Sequence, residues 1–95
     1  MIKIKAHIKL FVGKEKRKTP FYTGYRPLFS FNESTKTSGK ITLMNQEEFY
    51  PGEDGIVEIT FLHKEFLGKD FKKGKTFYYY EAEEPLGEGE ILELI

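Results

Sequence analysis

Apolar and polar residues alternate from Ile2 to Val12. Ile2, Ile4, Ala6, Ile8, Leu10 and Val12 fall on one face, Lys3, Lys5, His7 and Lys9 on the other. A period of two with β-branched residues predicts a strand covered on one side; a helix would scatter these positions around its axis. The same signal recurs in shorter runs at Leu28–Phe31, Lys40–Leu43, Ile56–Leu62, Thr76–Tyr80 and a last strand ending at Leu94. Polar or Gly/Pro-rich stretches separate them. Residues 13–18 read as a basic loop, 19–25 as irregular chain with Pro20 and Gly24, and 32–39 as a Ser/Thr-rich turn ending in Gly39. Pro51–Gly55 is a strong turn signal, 66–73 a turn or short 3₁₀ piece, and Gly87 with Gly89 suggests a bulge or tight corner.

Short strands at this spacing, with no helical period longer than two turns, predict an all-β fold. The expected form is a closed or nearly closed antiparallel β-barrel of about six strands. Its core is expected from Ile2, Ile4, Ile8, Leu10, Phe29, Phe31, Ile41, Leu43, Val57, Ile59, Phe61 and Phe77. With 95 residues, 39% hydrophobic and 16% aromatic, the chain has material for one compact domain over residues 1–95. Cysteine is absent, so no disulfide and no thiolate metal site enters the picture. No apolar run approaches the roughly 20 residues needed to span a bilayer as a helix, and the start lacks the apolar block of a signal peptide. A cytoplasmic protein with no membrane contact is the expectation.

Charge changes the picture more. The chain is formally neutral, yet residues 1–40 hold ten Lys or Arg against two Glu, and residues 41–95 hold five basic residues against thirteen acidic ones. Interleaving strands can mix these halves; if they stay apart, a basic patch would meet an anionic partner.

One segment is specific. Arg17-Lys18-Thr19-Pro20-Phe21-Tyr22-Thr23-Gly24-Tyr25-Arg26-Pro27-Leu28-Phe29-Ser30-Phe31 resembles the opening of the third, C-terminal domain of bacterial elongation factor Tu. That family reads R-H-T-P-F-x-x-G-Y-R-P-Q-F-Y-F, with no gap. Ser38-Gly39-Lys40-Ile41 is similar to its T-G-x-I, Tyr50-Pro51-Gly52-Glu53 to its M-P-G-D, and Phe77–Gly89 to its closing segment, keeping G-x-G at Gly87 and Gly89. The resemblance covers essentially all 95 residues and only that domain. It implies a six-stranded barrel that packs on a GTPase domain, contacts the T-stem of aminoacyl-tRNA and meets an exchange factor.

No phosphate-binding G-x-x-x-x-G-K-[ST] occurs, so GTP hydrolysis is not expected of these residues. His7 and His63 lack the spacing of a metal site or triad, and no nucleophile–base pair stands out. Neither catalysis nor a cofactor is expected. Where the family has Gln, Arg and Arg, this chain has Leu28, Asn32 and Glu84, and Glu83 is added beside Glu84. Carboxylates repel phosphates, which weighs against an inherited T-stem site.

Two functions follow as expectations. One is a non-catalytic protein-interaction barrel, whose partner is a GTPase-type domain or another translation protein; Leu28 and the acidic segment at Glu81 favour it. The other is a tRNA-binding accessory of translation using Lys14, Lys16, Arg17, Lys18 and Arg26 on phosphates, with Tyr22 or one of Tyr78, Tyr79 and Tyr80 available for stacking. A second basic loop, Lys69–Lys75, offers the same chemistry. Arg26 reads equally well as a partly buried structural charge. The discriminating feature is whether the cations converge on one surface. Oligomeric state is left open by the sequence.

Overall fold

The computed structural model of the protein describes residues 1–32 and 34–95. Its strands are β1 (Ile2–Leu10), β2 (Leu28–Ser30), β3 (Thr37–Leu43), β4 (Asp54–Phe61), β5 (Thr76–Tyr80) and β6 (Pro85–Leu94). A 3₁₀ turn, Lys64–Phe66, follows β4, slightly earlier than the sequence pattern suggests. The strands close into a barrel in the order β1-β4-β3-β2-β5-β6, with every neighbour antiparallel. This is the predicted all-β, six-stranded antiparallel architecture. Closure gives each strand a neighbour on both sides, although the short β2 pairs with only two residues of β3 and three of β5.

The inward face follows the alternation. Ile4, Ala6, Ile8 and Leu10 of β1 meet Val57, Ile59 and Phe61 of β4, Ile41 of β3 and Ile91 of β6 in one buried cluster. Aromatic rings fill the middle: Phe29 lies edge-on to Phe61 at 5.3 Å, and Phe31 contacts Phe77 and Phe71, each at 5.0 Å. Eleven of the twelve expected core residues are buried, and Ile2, at the barrel rim, is only partly covered.

Some local expectations need correction. The ladder ends at Leu10, so Val12 does not continue the inward face and is 71% exposed. Leu62, beyond the end of β4, is likewise exposed. Gly39 lies inside β3 rather than in a turn, and it must be small there: a Cβ would come 2.7 Å from Phe61 and 2.9 Å from Phe29. Gly89 pairs regularly with Ile8 and Phe77, while Gly87, paired with Leu10 and Tyr79, borders a bulge. They are small because the rings of Tyr79 and Phe77 pass over them. One register shift is that bulge, where Tyr79 faces Gly87 but Tyr80 faces Pro85 and Leu86 is left over; the other lies opposite Lys5/Ala6.

Loops also contribute to the core. Phe21 and Phe49 form an isolated bridge, with rings stacked 5.0 Å apart, and both are buried. Leu67, Tyr79, Leu86 and Ile91 complete the interior. Tyr79 is the one inward ring of the Tyr triplet, and its hydroxyl donates to the Lys9 carbonyl at 2.9 Å.

The two ends of the barrel differ. The registers place the connections 31–36 and 62–75 at the end where β1 starts and β6 finishes, the terminal end. The connections 11–27, 44–53 and 81–84 crowd the far end.

Candidate functional site at the far end of the barrel

All eight residues singled out by sequence, Lys14, Lys16, Arg17, Lys18, Tyr22, Arg26, Leu28 and Glu81, lie at or on the rim of the far end. The fold gathers them from two connections and the first residue of β2. Their side chains are in different situations.

The basic run turns back on itself after Gly13. The Lys16 amide donates to the Gly13 carbonyl at 3.2 Å, and the Lys18 ammonium donates to that same carbonyl oxygen. The Lys16 ammonium reaches across to the Pro85 carbonyl at 2.8 Å and lies 6.0 Å from the centre of the Phe11 ring. Arg17 is the most committed. Its Nε donates to the Thr19 carbonyl and one terminal nitrogen to the Pro20 carbonyl, both at 2.9 Å. The other terminal nitrogen donates to the Glu81 carboxylate. The guanidinium sits 4.9 Å from the centre of the Tyr25 ring, a cation–π distance.

Tyr25 locks the group together. Its ring stacks on Phe21 at 4.5 Å, and its hydroxyl donates to the same Glu81 oxygen that accepts from Arg17. Partial burial, reinforced by the bond to Glu81, pushes the Tyr25 hydroxyl well above the usual tyrosine range. The backbone around it is tied to β3: the Gly24 amide donates to the Ile41 carbonyl at 2.8 Å, and the Ile41 amide donates to the Tyr25 carbonyl at 2.9 Å. Gly24 supplies the positive φ of 102° this turn requires.

Arg17 and Lys16 therefore hold the acidic connection 81–84 against the basic one. Phosphate contact would have to compete with these bonds. Lys14 and Arg26 remain exposed, and neither has an ion-pair partner among the described residues. The expectation of a partly buried structural Arg26 is corrected: Arg17 occupies that place, nine residues earlier.

Charge at this end is mixed. Its three connections carry five Lys or Arg against seven Glu, a net of −2. The excess of basic residues in the first half of the chain does not persist at this end, because the acidic connections 44–53 and 81–84 of the second half lie beside the basic connection 11–27. Apolar exposure is the other feature. Tyr22 and Leu28 are 57% and 41% exposed, joined by Val12, Met44 and Tyr50 from the same connections. The last three were not singled out by sequence; position beside the Pro51–Gly52 turn was the only available signal for Tyr50. Its hydroxyl donates to Glu48 at 2.8 Å, a bond that raises its pKa.

The histidines stand apart from this end. His7 lies 2.7 Å from Asp54 on the outer wall, and His63 lies 3.5 Å from Glu65. Among the described residues no three His, Cys, Asp or Glu side chains gather as a metal site. No helix among them is long and apolar enough to cross a membrane. No protein-family model matches the chain.

Proposed function

We propose that this barrel is a non-catalytic docking module, related to the third domain of elongation factor Tu, that binds a protein partner at its far end. The partner class suggested by the resemblance is a GTPase-type domain or another protein of translation, in the cytoplasm. One observation carries the preference for protein over tRNA: the Arg17 guanidinium is turned onto Glu81, within an end whose net charge is −2. Affinity for a nucleic-acid backbone comes chiefly from unpaired Lys and Arg neutralising phosphates. Mixed charge around exposed Tyr, Met and Leu is instead the make-up of protein interfaces, where aromatic and Met side chains anchor a polar rim.

The test is a pair of titrations on the full chain. An isolated elongation factor Tu-type GTPase domain is expected to bind, with Leu28→Asp and Tyr22→Ala each weakening the complex about tenfold. A labelled tRNA acceptor–T-stem hairpin is expected not to bind at the far end. Salt-sensitive hairpin binding that is lost on changing Lys16, Arg17 and Lys18 to Ala would replace this reading with the tRNA one.

A further inference from the structure

The outer wall of the barrel carries a second feature, independent of the far-end loops. A groove of about 1060 Å³ opens over β5 and β6, beneath the connection that follows β2. Its floor is a cross-strand row in which Lys9 of β1, Glu88 of β6, Tyr78 of β5 and Ser30 of β2 stand side by side. Tyr78 and Tyr80, two positions apart on one strand, both project from the outer face, and Tyr78 is 48% exposed. The Lys36 ammonium lies 3.9 Å from the centre of the Tyr80 ring.

The charges are arranged rather than scattered. Lys9 borders the groove on the β1 side, Lys36 on the side of the 31–36 connection, and Lys75 at the entry to β5. Glu88 and its neighbour on that face, Glu90, lie between them on the floor. None of these five has an ion-pair partner among the described residues. The groove runs toward the terminal end, whose connection 62–75 holds five Lys against two carboxylates, a net of +3. The charged side chains lining the groove, three Lys against two Glu, sum to +1, whereas the far end sums to −2.

We propose that this groove binds a single-stranded oligonucleotide, with a base stacked on Tyr78 and phosphates held by Lys9, Lys36 and Lys75. An exposed aromatic on a sheet face is the usual stacking platform for unpaired bases, and cations at the perimeter follow the backbone. The floor carboxylates repel phosphate, so the backbone keeps to the lysine rim and the bases turn inward. There Glu88 accepts a hydrogen bond from an exocyclic amine, which cytosine offers and uracil does not. The site therefore prefers cytosine-rich over uracil-rich strands.

Fluorescence anisotropy with short labelled oligocytidylate and oligouridylate, at roughly 50 and 200 mM salt, tests this on the full chain. Oligocytidylate is expected to bind the more tightly, and more weakly at the higher salt. Tyr78→Ala should cost about tenfold in affinity, Tyr78→Phe should retain binding, and Lys36→Ala should flatten the salt dependence. Glu88→Gln should erase the preference for cytosine. These side chains face solvent, so unchanged melting curves verify that the variants fold. Absence of binding at about 100 μM protein, or Tyr78→Ala binding as tightly as the parent, would overturn the proposal.

Discussion

Arg17 and Glu81, 64 residues apart in sequence, meet at the far end of the barrel, and Tyr25 donates its hydroxyl to the same carboxylate oxygen. The pair ties the first long connection to the last, across strands contributed by both halves of the chain. It is also the reason a basic motif does not make a basic surface.

A double-mutant cycle measures that tie. Arg17→Ala and Glu81→Ala are each expected to destabilise the fold, with a coupling of about 0.5–1 kcal/mol. The modest figure reflects solvent screening, since the two side chains are 22% and 42% exposed. Urea unfolding of the four proteins gives the coupling; additive effects would mean that the bond contributes nothing to stability.

Gly87 is expected to be the least replaceable glycine. An added Cβ would lie 2.2 Å from the Lys9 carbonyl oxygen and 2.3 Å from the Tyr79 ring. Backbone cannot yield as a flexible side chain does, so Gly87→Ala should cost about 1–3 kcal/mol or more. Gly74, where a Cβ meets no atom within 4 Å, bears only the strain of its φ of 93°. Gly74→Ala should cost about 1–2 kcal/mol. Chemical denaturation of both variants checks the order.

Alkali should unfold the protein through its buried tyrosines. Burial raises the Tyr79 hydroxyl far above the ordinary tyrosine value, and burial with the Glu81 bond raises Tyr25. Both are neutral in either state below about pH 10, so their contribution is fully present there. Above it the unfolded chain loses its protons first, the folded state holds more, and stability falls with pH. For Tyr79 the slope approaches about 1.4 kcal/mol per pH unit. Melting temperatures from pH 8 to 12 should stay level and then drop, less steeply in Tyr79→Phe.

Two aromatic residues in connections separate structural loop positions from surface ones. Phe49 is fully buried and stacked on Phe21, so Phe49→Ala should cost about 3–5 kcal/mol. Val12→Ser and Met44→Gln, at exposed positions of the same end, should stay within about 0.5 kcal/mol. Thermal melts distinguish the two classes. A large loss at Val12 or Met44 would show that these residues support the fold rather than present a surface.

Much of this architecture is legible in the pattern of residues. Alternation at Ile4, Ala6, Ile8 and Leu10, and again at Val57, Ile59 and Phe61, specifies both strand and inward face, because strand geometry sends successive side chains to opposite sides. The candidate site was legible only as a set of residue types. Lys16, Arg17 and Lys18 look like phosphate ligands in a linear reading, and three lysines of the groove, Lys9, Lys36 and Lys75, lie far apart along the chain. Gly39, Gly87 and Gly89 read locally as turn or bulge signals, yet their smallness answers to rings from other strands.

The amino-acid sequence thus settles the all-β class, the inward faces and most of the core, since these depend on local periodicity and on the hydrophobic drive to cover one face. Closure of the barrel brings Glu81 to Arg17, turns the far end net negative and gathers Lys9, Lys36 and Lys75 around Tyr78 and Tyr80. Those outcomes depend on which distant residues become neighbours, and charge acts through space rather than along the chain.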